Sequence, residues 1–320
     1  MDLGAVALGI VALVWGADRF VLGAAGVARN LGVSTLVIGL VIVGFGTSAP
    51  ELLVSAMAGM EGATGLAVGN ALGSNIANIG LVLGTTALIV PLAVHSGVLK
   101  REFPVLLFMS VAALVLLWDG HLGRLDGFIL VSALVGLIYW TVRLALKERN
   151  HDPLQAEVAE EIPESLAMGA AVLWLVVGLV VLLVGARLVV WGGVNIAHAF
   201  GVSEVIIGLT IVAIGTSLPE LAASVMGALK GEPDLAIGNV VGSNLFNLLG
   251  VLGLPALIHP EALDPSVLSR DYPVMLGLTL ILFLLAYNRR RAPRIGRGGG
   301  LLLLGAYGAY MTTLYFATVS

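Results

Sequence analysis

The sequence contains no cysteine, which excludes disulfide staples and thiolate metal sites. It is also short of charge. Asp, Glu, Lys and Arg make up 11% of its 320 residues, where soluble domains carry about 25%. Such a chain cannot cover a water-facing surface with polar groups, so lipid has to be its solvent. A basic excess is missing too: the net charge is −4, and nucleic acid is not expected as a partner. Soft ligands are lacking around the polar motifs, which disfavours zinc or copper. The five histidines, His95, His121, His151, His198 and His259, fall near the ends of apolar runs or in loops. An intramembrane protease would need a Ser/His pair or two Asp at depth, and a buried serine without a base is a poor nucleophile. The chain is therefore not expected to be an enzyme, and no cofactor is expected.

What is abundant is hydrophobic. Apolar residues make up 58% of the chain and the mean hydropathy is +1.03. At roughly 20 apolar residues per span there is room for about ten spans and little else. Apolar runs fall near 3–28, 34–60, 65–90, 103–118, 125–146, 166–193, 203–229, 234–258, 272–288 and 299–318. The expected fold is an all-α membrane protein of ten transmembrane helices. The 42 glycines suit close approach of such helices. The first run lacks a basic n-region and continues through Asp18 and Arg19, so it reads as a retained helix rather than a cleaved signal. Asp18 and Arg19 read as a structural pair.

Residues 147–165 form the one long polar segment, with Glu148, Asp152, Glu157, Glu160, Glu161, Glu164, Pro153 and Pro163, and read as a solvated acidic linker. Loops after odd-numbered helices carry twelve Lys and Arg, against two (Arg124 and Arg270) on the other face. The positive-inside rule then places the linker in the cytoplasm and both termini outside.

Internal similarity changes the reading. Residues 34–84 align without a gap to 203–253 at an offset of 169, with 26 identities in 51 positions. Gly46-Thr47-Ser48-Ala49-Pro50-Glu51 matches Gly215-Thr216-Ser217-Leu218-Pro219-Glu220. Gly69-Asn70, Gly73-Ser74-Asn75 and Asn78 match Gly238-Asn239, Gly242-Ser243-Asn244 and Asn247. Shared hydrophobicity would align Leu and Val, not Glu, Pro, Asn and Ser. The offset spans five helices, an odd number, so the copies enter the membrane from opposite sides. Two inverted five-helix repeats follow, 1–146 and 166–320, and in such transporters the site lies at the repeat interface near the midplane.

Glu51 and Glu220 each lie within an apolar run, where an ionised acid costs roughly 2.5–3.5 kcal/mol at a helix centre. No basic neighbour in sequence compensates them, so a bound cation or protons must. Pro50 and Pro219 lack an amide hydrogen and clash with the carbonyl four residues back. That frees carbonyls around Gly46-Thr47 and Gly215-Thr216, which at this depth must line a cavity or bind something. Hard cations take carboxylate, carbonyl and hydroxyl oxygens. Glu51 and Glu220 supply the first, the Thr47 and Thr216 backbones the second, and Ser48, Ser217, Ser74 and Ser243 the third. Ser74 and Asn78 share a helix face, as do Ser243 and Asn247. Asn70, Asn75, Asn239 and Asn244 read as hydrogen-bond partners of the helix breaks. A passive channel would more naturally use a symmetric oligomeric filter, whereas one chain here carries two copies of the motif.

Gly-Thr-Ser-x-Pro-Glu followed by Gly-Asn-x-x-Gly-Ser-Asn-x-x-Asn, occurring twice, resembles the α-repeats of the calcium/cation antiporter superfamily, and prokaryotic sodium/calcium antiporters in particular. The resemblance implies that helices 2, 3, 7 and 8 form the ion site while helices 1 and 6 slide across them. It implies that Glu51 and Glu220 ligate Ca²⁺ with the Thr47 and Thr216 carbonyls. Ser48, Ser217, Ser74 and Ser243 would line flanking Na⁺ sites, and Asn78 and Asn247 would complete the centre. Archaeal members often carry Asp at the last position, so Asn247 removes one potential charge. The implied function is Na⁺/Ca²⁺ antiport by alternating access, in the direction of Ca²⁺ extrusion across the inner membrane. Proton/calcium antiport on the same fold is the alternative. Inorganic cations and membrane lipid are the partners implied, with no obligatory protein partner.

Overall fold

The computed structural model describes residues 2–31, 46–94, 97–147, 166–286 and 294–319. The linker acids, His95 and His151 lie outside the described residues, as does the first part of the run near 34–60. The described chain is almost entirely helical. Its helices are α1 (Asp2–Asn30), α2 (Ala49–Met60), α3 (Thr64–Ile89), α4 (Gly97–Leu116), α5 (Arg124–Lys147), α6 (Met168–Phe200), α7 (Glu204–Thr216), α8 (Leu218–Lys230), α9 (Pro233–Ile258), α10 (Val267–Ala286) and α11 (Arg297–Val319).

Among the described residues, seven helices are long and apolar enough to cross a membrane, or eight if α7 and α8, bent by 42° at their junction, form one broken span. Two of the ten expected spans fall outside this count. One is the run containing α2, whose upstream part is not described. The other is α4, which starts at Gly97 rather than 103 and so takes Lys100, Arg101 and Glu102 into its first turns. α10 likewise starts earlier than expected, at Val267. There Arg270 pairs with Asp271 at 2.6 Å, which removes the charge that marked a boundary in the sequence.

The two copies of the repeat break at the same places. α2 and α8 begin 169 residues apart, at Ala49 and Leu218. α3 and α9 begin at Thr64 and Pro233 and pass into π-helical turns at Asn78 and Asn247, again 169 apart. Two short antiparallel ladders tie loops of the two copies together. β1 (Leu92–Ala93) pairs with β4 (Arg294–Ile295), and β2 (His121–Leu122) with β3 (Glu261–Ala262).

α3 and α9 run through the middle of the molecule. α3 meets α7 at close range: a Cβ on Gly69 would lie 2.3 Å from the Val205 carbonyl, and one on Gly208 2.4 Å from the Leu66 carbonyl. Small residues are what allow backbones to approach this closely in lipid. The main core gathers Leu72, Ile76, Ile79 and Leu83 of α3 with Val240, Val241, Leu245 and Leu249 of α9, and packs against α4, α5, α10 and α11. A second core joins Leu13 and Ala17 of α1 to Leu182, Ala186 and Val189 of α6, and includes Val54, Leu66 and Val212 from α2, α3 and α7.

Asp18 and Arg19 pair at 3.3 Å, and the Arg19 guanidinium lies over the rings of Trp15 and Trp174 at 5.7 and 5.0 Å. The cation is thus held at an α1–α6 contact rather than at the polar centre.

Candidate functional site: a buried cation centre

The site grows from two helix breaks. Ser48 and Ser217 have almost the same backbone, φ −84°, ψ 6° and φ −82°, ψ 5°, in the bridge region between helix and strand. Each precedes a helix with proline in its first turn, where a missing N–H costs nothing. Beyond the break the ladder resumes, with Leu52 N–H donating to the Ser48 carbonyl at 3.2 Å and Leu221 to Ser217 at 3.1 Å. Pro50 and Pro219 cannot donate to the carbonyls four residues back, those of Gly46 and Gly215, and among the described residues no backbone N–H bonds the Thr47 carbonyl. Glu51 and Glu220 sit in the first turns of α2 and α8, at the positive ends of those helices.

Both glutamates are fully buried. Glu220 Oε1 accepts hydrogen bonds from Ser48 Oγ at 3.3 Å and Ser243 Oγ at 3.2 Å. Its Oε2 and both carboxylate oxygens of Glu51 have no hydrogen-bond partner. The hydroxyls of Thr216 and Ser217 approach Glu51 short of hydrogen-bond geometry. Ser74 Oγ lies 3.4 Å from Thr216 Oγ1. Hydroxyls of each repeat therefore face the glutamate of the other.

Asn78 and Asn247 are fully buried one turn beyond Ser74 and Ser243. The Oδ1 of Asn78 and both amide atoms of Asn247 have no partner. The structure thus brings all ten expected residues into two equivalent sets of helix breaks and helix faces.

Behind the glutamates lies a brace that the sequence reading only partly found. Asn70 Nδ2 donates to the Glu51 carbonyl at 3.1 Å and to Ser55 Oγ at 2.9 Å, and Ser55 Oγ donates to the Ala67 carbonyl at 3.4 Å. The second repeat copies it: Asn239 Nδ2 to the Glu220 carbonyl at 3.3 Å and to Ser224 Oγ at 3.2 Å, and Ser224 Oγ to the Ala236 carbonyl at 3.3 Å. The free amide oxygens then receive threonines from the opposite repeat. Thr216 Oγ1 donates to Asn70 Oδ1 and Thr47 Oγ1 to Asn239 Oδ1, both at 3.2 Å. Asn70 and Asn239 do bond the helix breaks, as expected. Ser55 and Ser224 were missed, although their identity at the repeat offset was a usable signal.

Chemically, two carboxyl groups are fully buried with three of four oxygens lacking donors. Isolated buried charge of this kind is costly and is relieved by a counter-charge or by protonation. Among the described residues no group of three or more His, Asp or Glu side chains gathers. A cation at this centre would meet two carboxylates and otherwise neutral oxygens, a donor set that suits hard ions.

The profile of the family described as "Sodium/calcium exchanger protein" matches residues 1–143 and 170–316. CaxA of Alkalimonas amylolytica is 47% identical over 310 residues, covering 97% of each chain. Inner membrane protein YrbG of Escherichia coli is 45% identical, covering 97% of this chain and 95% of its own. Sodium/calcium exchanger MaX1 of Methanosarcina acetivorans is 33% identical, with 97% of each covered. Among solved structures, the sodium-calcium exchanger NCX_Mj soaked with 10 mM Na⁺ and 10 mM Sr²⁺ superposes with a TM-score of 0.67 at 34% identity, covering 97% of each chain. The same exchanger soaked with neither Na⁺ nor Ca²⁺ gives 0.63 at 34% identity, covering 98% of each. The chain belongs to the sodium/calcium exchanger protein family, and is thus a membrane-embedded secondary antiporter of cations rather than an enzyme.

Proposed function

We propose that this protein exchanges Na⁺ for Ca²⁺ across the inner membrane by alternating access, with Ca²⁺ extruded as Na⁺ enters. The observation that carries the reading is the pair of fully buried glutamates, three of whose four carboxylate oxygens have no donor. Ca²⁺ binds between Glu51 and Glu220 with the Thr47 and Thr216 carbonyls. Na⁺ occupies flanking positions lined by Ser48, Ser217, Ser74 and Ser243, and Asn78 and Asn247 close the centre. The chain spans the membrane ten times, in two inverted five-helix repeats (1–146 and 166–320). Its 147–165 linker lies in the cytoplasm and both termini lie outside.

Two carboxylates balance one Ca²⁺. Emptied, the centre would hold two charges in a low-dielectric interior, a state that resists moving through the membrane. The filled carrier is not penalised in this way. Exchange is therefore obligatory, since the carrier changes sides loaded with one ion species or the other. If more than two Na⁺ replace one Ca²⁺, each turnover moves net charge and responds to membrane potential.

The site also supports a second reading, in which protons replace Na⁺. Unpartnered buried carboxylates are groups that a proton can neutralise. Ca²⁺ tracer uptake into proteoliposomes, driven separately by an outward Na⁺ gradient and by a pH gradient, separates the two. Uptake driven by Na⁺ and insensitive to collapse of the pH gradient is expected. Uptake driven by the pH gradient alone would replace Na⁺ by H⁺ as the coupling ion.

A further inference from the structure

The repeat is symmetric in the braces behind the glutamates but not at the asparagines beyond them. Asn75 and Asn244 occupy equivalent positions three residues before Asn78 and Asn247, and all four are buried. Asn244 Nδ2 donates to the Asn75 carbonyl at 3.4 Å. A backbone carbonyl can only accept, so the nitrogen of Asn244 is fixed on that side and its oxygen must face away. That oxygen accepts from Asn78 Nδ2 at 3.1 Å. The Asn78 amide is thereby oriented as well: its nitrogen is committed, and its unpartnered oxygen is the end left for a ligand.

The counterpart on the other side is missing. Asn75 Nδ2 is directed to Met275 Sδ of α10 at 3.5 Å, and Asn247 has no partner for either amide atom. The sequence supplies the cause. Arg101-Glu102-Phe103-Pro104-Val105-Leu106 matches Arg270-Asp271-Tyr272-Pro273-Val274-Met275 at the same offset of 169. Leu106, in the place equivalent to Met275, offers no acceptor, so Asn244 has no bond of that kind to make and turns to Asn75 and Asn78 instead.

We propose that Asn244 is a positioning residue that locks the Asn78 amide with its oxygen towards the cation, while the equivalent Asn75 leaves Asn247 unlocked. The two halves of the centre are then unequal ligands. Asn78 presents a fixed oxygen, and Asn247 is free to turn either its oxygen to a cation or its nitrogen to a carboxylate. The inference rests on the cation-site reading above.

A double-mutant cycle on the purified full-length protein tests it, with Na⁺-sensitive ⁴⁵Ca²⁺ binding as the readout. Asn244→Ala is expected to weaken Ca²⁺ binding on the order of tenfold, the scale of one lost buried polar contact. Asn75→Ala is expected to weaken it by less than about twofold. In the Asn78→Ala background, Asn244→Ala should cause no further loss, because its effect passes through Asn78. A merely structural role would give losses that add in that background. Equal losses from Asn75→Ala and Asn244→Ala, or additive losses with Asn78→Ala, would overturn the inference while leaving the site reading intact. A wild-type protein that binds no Ca²⁺ would overturn the site reading, and this inference with it.

Discussion

Two pairs of helices in this protein are packed in opposite ways. α3 and α9 carry the site's serines Ser74 and Ser243 and its asparagines and are 78% buried along their apolar lengths, whereas α1 and α6 are 28% buried. The inner pair is held by directed bonds that run between repeats: Thr47 to Asn239, Thr216 to Asn70 and Asn78 to Asn244. The outer pair is held by shape. A Cβ on Gly23 would lie 2.2 Å from the Leu175 amide nitrogen, and one on Gly178 2.3 Å from that of Phe20. In lipid, where helices gain nothing from shielding apolar surface from water, such close packing is the main adhesive.

The difference teaches how one chain can hold a site still and yet move. Directed bonds fix one geometry, and breaking them inside a dry core is expensive. A seam of glycines and aliphatic side chains makes no such demand on register. α1 also lies across both helix breaks, with Val21 against Gly46 and Ile10 against Gly215. That placement suits the expectation that helices 1 and 6 slide over a stationary centre.

The comparison can be broken most severely at the glutamates. Glu51→Gln or Glu220→Gln is expected to abolish Ca²⁺ flux in proteoliposomes, because either removes half the charge that balances the ion. Near-normal flux in either variant would remove these residues from the centre. Next in size is the seam. Gly23→Leu forces side-chain atoms into the α6 backbone, an overpacking that costs about 1–3 kcal/mol. The expected outcome is a maximal flux lowered by about tenfold or more, the equivalent of 1.4 kcal/mol or above on the barrier to exchange. Ca²⁺ binding in the purified protein should stay unchanged. A parallel loss of binding would mean that the outer pair is part of the frame rather than the mover.

The matched placement of the glutamates, threonines and serines was legible in the sequence because a repeat exposes polar identity that hydropathy hides. The alignment of Glu51 with Glu220 needed no tertiary information. The cross-repeat pairing did: nothing in the register says that Thr47 reaches Asn239 rather than Asn70, since that depends on how the two copies interlock. The π-helical turns at Asn78 and Asn247 were invisible for the same reason, having no signature in composition. Helix ends were misplaced where charge was locally neutralised. Arg270 and Asp271 read as a loop, yet they form an ion pair within α10 that Tyr310 completes by donating to Asp271 Oδ1 at 2.8 Å.

That ion pair gives a third way to sharpen the comparison, since it lies in the frame but away from the polar centre. Asp271 is fully buried, so Asp271→Ala strands Arg270 and is expected to destabilise the protein by about 3 kcal/mol, read as a lower midpoint of thermal unfolding in detergent. Ca²⁺ affinity should not move. The smallest effects are expected at the brace. Ser55→Ala and Ser224→Ala each remove one buried hydroxyl and should cost about 1 kcal/mol apiece, in equal measure because their bonds are duplicated. Clearly unequal losses would show that the two braces are not equivalent.

The location of the ion is the most direct question. Sr²⁺ is a heavier stand-in for Ca²⁺, and anomalous scattering from crystals of this protein soaked in it would report the position without reference to transport. A peak in contact with carboxylate oxygens of both Glu51 and Glu220, lost when Na⁺ is raised, is the expected result. A Sr²⁺ peak elsewhere in the membrane region, with none between the two glutamates, would contradict the proposed centre.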